Sequence, residues 1–302
     1  MSRVINLAEL RARTLLFLHI HKTAGTTLHR IIESQYNPFR IYTIEGRWVE
    51  WSLRHFQSLP ESRRAQFKVI KGHMNFGLHT AVPRPSTYIT FLRDPIARSL
   101  SSYRYAKGNP MNAFHKRIMR ENLGVGEFLD LTPWNNNLQC KVLAGLTREQ
   151  FRPIEVVKKV TRIGAPAPAG EIDSWSNRET LERAKANLES YFSFVGIVEK
   201  FDESLAVLKH LFAWNLSSYS MQRKSSPDVK PDETTRREIE KHNLLDQELY
   251  TFATELFEKL VGSLAIDIEM ESAALRFEME NGLGETISRL GRAAASRIAS
   301  IF

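Results

Sequence analysis

The run Lys22-Thr23-Ala24-Gly25-Thr26-Thr27 places small residues and hydroxyls behind a single lysine, a combination suited to holding an anion. In such a turn successive backbone N–H groups converge on negative charge at a helix N-terminus, where the helix dipole adds to the attraction. Lys22 supplies a point charge, and Thr26 and Thr27 supply hydroxyl donors. A Walker-type phosphate loop ends in Gly-Lys-Ser/Thr, whereas this turn begins with its lysine, which disfavours an ordinary ATPase or kinase. A strand-to-helix turn with no ligand, in which Thr27 is only an N-cap, is the simpler alternative. Two other groups invite chemistry. His73 follows Gly72 at the end of a short strand pattern, and an imidazole with an ordinary pKa near ~6.5 can take a hydroxyl proton near neutral pH. Arg93 ends a later strand, and its planar fork can hold two phosphate oxygens at once.

Positioning these residues takes strands that end where the chemistry begins. Leu15 to Ile20 is a buried-type strand, and Leu28, Ile31 and Ile32 recur at helix spacing up to Gln35, before the turn pair Asn37-Pro38. Phe67 to Lys71 alternates, which sets Phe67, Val69 and Lys71 on one face and predicts a strand partly exposed near its end. His73 then stands at the carboxyl edge of the sheet, where open α/β sheets bind ligands. Thr87 to Leu92 is β-branched and aromatic, and Asp94-Pro95 after it reads as an N-cap with proline at the first helical position. The helix that follows runs to about Ala106 and carries Ser101 about two turns along. Later come a helix over Leu181 to Tyr191, a strand over Phe192 to Val198, an amphipathic helix with Leu205, Leu208, Leu211 and Phe212 on one side, and a helical region from Pro231 to Leu260. This alternation predicts an α/β fold, a P-loop-like, mostly parallel central sheet with helices on both faces. Arg40 to Arg64 resists such a reading; Trp48, Trp51 and Phe56 at helix-compatible spacing are taken as packing aromatics in preference to a sugar-stacking platform.

With 302 residues, 42% hydrophobic and 25% charged, the chain has an ordinary globular composition and ample length for a core. A net charge of +8 favours anionic partners, but the basic residues are scattered and no zinc-finger or RNA-recognition pattern is present, so nucleic acid is not expected. The single cysteine, Cys140, excludes an intrachain disulfide and a multi-cysteine metal site, and no metal-ligand cluster is evident. Met1 to Arg13 lacks an apolar core and no long apolar run follows, so neither a signal peptide nor a transmembrane segment is expected.

The segment FLHIHKTAGTTL resembles the 5′-phosphosulfate loop of the carbohydrate sulfotransferases, particularly the group containing the heparan sulfate 2-O- and 6-O-sulfotransferases. Their donor is 3′-phosphoadenosine 5′-phosphosulfate. LRDPIARSLSSY resembles the same family's 3′-phosphate motif, which implies that Arg93 and Ser101 contact that phosphate. Gly72-His73 followed by Phe76-Gly77 resembles the segment carrying the catalytic base of the 2-O branch, and Gly77-Leu78-His79 resembles the histidine-bearing segment of the 6-O branch. His73 is therefore the first candidate for the base and His79 the second. Asn135 to Gln139 resembles a segment lining the acceptor site. Arg223, Lys224 and Ser225 lie in a basic loop where the family often returns to the nucleotide, with a solvated loop as the alternative.

The resemblance runs from about Leu15 to Leu260. It implies a sulfotransferase domain over residues 1–262 and leaves 263–302 as a C-terminal helical tail that docks on the domain, pairs two subunits as a homodimer, or lies on an anionic membrane surface. The implied reaction moves a sulfuryl group to a hydroxyl of a carbohydrate acceptor, a polysaccharide or glycolipid that could itself be anionic, with release of adenosine 3′,5′-bisphosphate and without a metal. His73 would take the proton, while Lys22 and the loop amides from Thr23 to Thr27 stabilise the leaving phosphate. Golgi members of the family carry a membrane anchor; this chain is read as a soluble, bacterial, cytoplasmic form. A nucleotide-dependent kinase and a catalytically silent glycan- or nucleotide-binding protein are the competing readings.

Overall fold

Thr14–Leu18 (β1) is buried along its whole length, as a strand covered on both faces requires. In the computed structural model, which describes residues 6–46, 48–147, 150, 154–166, 177–216 and 231–280, it is the middle strand of a five-stranded sheet. Ile41–Ile44 (β2), Val69–Gly72 (β3), Ser86–Leu92 (β4) and Phe192–Ile197 (β5) complete it in the order β2-β3-β1-β4-β5, and every pairing is parallel. The expected mostly parallel sheet is thus wholly parallel. β1 is flanked by β3, in register Leu18 with Gly72, and by β4, in register Phe17 with Ile89. The chain leaves β1 toward β2 on one side and leaves β4 toward β5 on the other. Their carboxyl ends therefore frame the crevice where such sheets bind ligands.

Several expectations need adjustment. β2 lies inside the stretch that resisted reading. It has only four residues and sits at the sheet edge with three of them half-buried, which leaves little pattern to detect. Its presence turns β3 into an interior strand. All four β3 residues are buried, so the predicted partial exposure near its end does not occur. Lys71 is accommodated there because its ammonium reaches Glu33 at 2.8 Å. The helix after β1, Gly25–Gln35 (α1), begins three residues before Leu28. Asp94 caps Pro95–Gly108 (α2) as expected, its Oδ1 accepting from the Ala97 N–H at 2.8 Å. Of the aromatics on Val49–Ser58 and its N-cap, Phe56 is buried in the core while Trp48 is 63% and Trp51 60% exposed, so the packing reading holds only for Phe56.

Arg178–Tyr191, Phe201–Phe212 and Leu244–Ser263 pack around the β5 side of the sheet. The helical region from Pro231 is broken at Asn243, which ends Glu233–His242 and precedes Leu244. Ile268–Glu280 packs on Phe201–Phe212 through the buried Leu275, with Lys209 donating to Glu271 at 3.1 Å. Cys140 is buried, and burial pushes its thiol well above the ordinary range, which fits an inert core cysteine.

Candidate active site

The turn after β1 is held by strain and by one buried bond. Lys22 and Ala24 adopt φ of 70° and 58°, a left-handed conformation that costs a non-glycine residue about 1–2 kcal/mol. Such cost is typically tolerated where a site demands a particular shape. Thr23 is buried and donates its hydroxyl to the Ile20 carbonyl at 2.9 Å, so its side chain ties the turn together. Ala24, not Thr27, is the N-cap of α1, and having only a methyl group it makes no side-chain cap bond. The first amides of the helix are the donors that an anion would take. Gly25 must be glycine: a Cβ built on it falls 1.8 Å from His19 Nε2. Thr26 is exposed and Thr27 half-buried at the mouth of this turn.

Lys22 and Arg93 meet at the crevice. Arg93 Nη1 lies 3.5 Å from the Lys22 carbonyl, and Arg93 Nε is 3.8 Å from Glu199 Oε1. Burial, then the neighbouring Arg93, lowers the Lys22 pKa, and the Lys22 ammonium sits 4.5 Å from the centre of the Tyr105 ring. The pair concentrates positive charge where β1 and β4 end. Arg93 owes its placement to Gln139, whose side-chain amide accepts from the Arg93 N–H at 3.0 Å and donates to the Arg93 carbonyl at 3.0 Å. Gln139 is itself held by its own N–H, which donates to Asp246 at 3.1 Å. Ser101 is half-buried on α2, about two helical turns beyond Arg93. Arg223, Lys224 and Ser225 lie outside the described residues.

His73 extends from β3 beside the loop, where Gly72, at φ 141°, lets the backbone pass within a methyl's width of the Ile44 carbonyl. Its ring lies between those of His19, at 4.1 Å between centroids, and His21, at 3.7 Å. His73 Nδ1 is 2.9 Å from the His19 carbonyl, an acceptor only, so Nδ1 carries a proton and, in the neutral ring, Nε2 holds the lone pair. These rings line a cleft with Asn75, Trp134, Asn135 and Leu138. The cleft thus includes part of the segment expected to line an acceptor site, while Gln139 of that segment serves Arg93. His79 is elsewhere. Its Nδ1 lies 3.2 Å from the Tyr88 hydroxyl and its ring packs on Tyr191, in a pocket with Ser86 and Thr87 at the amino ends of β4 and β5. The structure brings His73, Lys22 and Arg93 to one edge and leaves His79 at the other.

His19, His21, His29 and Lys71 belong to this edge and were not anticipated. His19 and His21 alternate past the end of β1, the spacing that puts two side chains on one face of an extended segment. That was the available signal. His29 joins them only through the packing of α1.

An all-parallel α/β sheet whose β1 and β4 ends carry a lysine-led turn and a clamped arginine, with a histidine alongside, is an arrangement suited to an anionic group such as a phosphate or sulfate. A profile described as "Sulfotransferase family" matches residues 11–259, and the chain belongs to that family. It is similar to heparan-sulfate 6-O-sulfotransferase 2 of Homo sapiens, with 26% identity over 287 residues that cover 80% of this chain and 44% of that protein. Heparan-sulfate 6-O-sulfotransferase 1 of Cricetulus griseus matches at 26% over 81% of this chain and 67% of the relative. Galactose-3-O-sulfotransferase 3 of Homo sapiens matches at 28% over 67% of this chain and 45% of its own length. The chain therefore spans less than half the length of the first of these relatives. Among the described residues no helix is long and apolar enough to cross a membrane.

Proposed function

We propose that the chain, through the unit formed by residues 1–262, transfers a sulfuryl group from 3′-phosphoadenosine 5′-phosphosulfate to a carbohydrate hydroxyl. The observation that carries this reading is the convergence of Lys22, Arg93 and a histidine with its lone pair on Nε2 at one sheet edge. The residues fit such a donor. The uncapped start of α1 and Lys22 suit its 5′ end, and Arg93 with Ser101 suits its 3′-phosphate. The bond from sulfur to the 5′-phosphate oxygen breaks as the acceptor oxygen bonds to sulfur. His73 Nε2 takes the acceptor's hydroxyl proton, and Lys22 with the loop amides from Thr23 to Thr27 stabilises charge on the departing phosphate oxygen. The names of the relatives point to hydroxyls of heparan sulfate-type or galactose-containing glycans as acceptors.

The test presents labelled phosphosulfate donor, or labelled ATP, to N-sulfated heparosan and galactose-terminated oligosaccharides with and without magnesium. Label should move from the phosphosulfate donor without magnesium. In calorimetry, Lys22→Ala and Arg93→Ala should each weaken adenosine 3′,5′-bisphosphate binding about tenfold or more, since each removes a charge-assisted contact of roughly 1.5–3 kcal/mol. Transfer from ATP alone would establish a kinase instead. Tight nucleotide binding with no transfer to any acceptor would establish a silent binding protein.

A further inference from the structure

Behind His73 lies a directed series of hydrogen bonds that the proposed reaction does not use. Lys71 Nζ is 2.8 Å from Glu33 Oε1 and 3.0 Å from His29 Nδ1, and His29 Nε2 is 3.1 Å from His19 Nδ1. An ammonium group only donates, so His29 accepts at Nδ1. A neutral imidazole has one ring proton. That of His29 must then sit on Nε2, from which it donates to His19 Nδ1, and the proton of His19 is left on its own Nε2. Burial, reinforced by the surrounding cations and histidines, favours the neutral form of both rings: His29 is lowered to about 3 and His19 well below its ordinary value.

The face of the His19 ring at Nε2 packs on the start of α1: a Cβ on Gly25 would meet Nε2, Cε1 and Cδ2 at 1.8, 2.1 and 2.2 Å, which sets it above the ring plane and leaves the in-plane Nε2–H to run alongside the phosphate-type loop. The His19 ring also lines the cleft beside His73. We propose that His19 is a side-chain hydrogen-bond donor of the anion loop, that its ligand is a phosphoryl or sulfuryl oxygen seated there, and that Lys71 and His29 are positioning residues which fix its proton on Nε2. The ligand assignment rests on the donor reading given above; the proton direction does not. A donor built this way adds an uncharged N–H beside Lys22 and cannot compete with His73 for the acceptor's proton, because its only lone pair, at Nδ1, is engaged by His29.

The experiment is long-range proton–nitrogen correlation spectroscopy on the full chain with 15N-labelled histidine, first alone and then with adenosine 3′,5′-bisphosphate. His29 and His19 should both show a proton on Nε2 and an unprotonated Nδ1. Lys71→Met should scramble that pattern and Lys71→Arg should restore it, and bound nucleotide should shift the His19 Nε2 signal. A proton on His19 Nδ1, or an unchanged pattern in folded Lys71→Met, overturns the relay. If Lys71→Met does not fold, the tautomers of the parent protein decide the same point. Bound nucleotide that leaves His19 Nε2 unmoved overturns the anion contact alone. Failure to bind nucleotide overturns both that contact and the donor reading, while the tautomers still judge the relay.

Discussion

At the scale of single residues, Gly25 and His29 expose the forces most directly. Gly25→Ala would press a methyl group into His19 Nε2 at 1.8 Å, where the stacked histidines leave no easy retreat. Overpacking of this kind costs about 1–3 kcal/mol. A lower urea midpoint, with nucleotide affinity reduced beyond what Thr26→Ala causes, is the expected outcome, and a Gly25→Ala protein of parental stability would contradict it. His29 bears on pH. It faces Lys71 on β3, His73 just beyond that strand, His19 beyond β1 and Glu33 on its own helix, and burial lowers it from 6.5 to about 3. Between those values the unfolded chain binds a proton that the native chain does not. Its contribution is therefore fully present above ~6.5, is lost as pH falls, and levels off near ~3, with a total on the order of 5 kcal/mol. Melting curves across that range should flatten in His29→Gln relative to the parent. Equal slopes in the two proteins would show that His29 is not held neutral.

Between elements, the placement of Arg93 depends on a buried polar junction. Asp246 accepts the N–H groups of Gln139 and Cys140 at 3.1 and 2.8 Å and lies 3.9 Å from the Arg98 guanidinium. Asn243 and Asn137 close the junction, with Asn137 Oδ1 accepting the Leu245 and Asp246 N–H groups. Removing one partner of a buried ion pair costs about 3–5 kcal/mol because the other charge is left uncompensated. Asp246→Ala should lose that much in chemical denaturation and should weaken nucleotide binding through Gln139, although Asp246 touches no ligand site itself. A loss below about 1 kcal/mol would contradict the junction's role. Legibility follows the same division. The Asp94-Pro95 start of α2 and the apolar run of β1 were readable because local rules create them. β2 was hidden by its shortness and its half-exposed edge, and the missing neighbour made β3 look exposed. The joining of His29 to His19 and His73 depends on β1 pairing with β3 and on α1 packing beside them, which no local pattern records.

For the molecule as a whole, parallel topology explains why motifs far apart in sequence serve one site. β1 and β4 are adjacent and their connections leave in opposite directions, so Lys22 and Arg93 arrive at one crevice without long loops to carry them. The match to the sulfotransferase family over residues 11–259 covers every element of that arrangement. Ile268–Glu280 lies beyond the matched region and buries Leu275 against Phe201–Phe212, so this part of the 263–302 stretch packs with the helices around β5. The central claim is that this edge, and not the amino-end pocket holding His79, performs the transfer. The most direct measurement is turnover of labelled sulfate from the phosphosulfate donor to a glycan acceptor by His73→Ala and His79→Ala, with nucleotide affinity measured in both. The account predicts a loss of roughly 10²–10⁴-fold for His73→Ala at nearly unchanged nucleotide affinity, and turnover near the parent's for folded His79→Ala. An unimpaired His73→Ala protein beside an inactive, folded His79→Ala would contradict it.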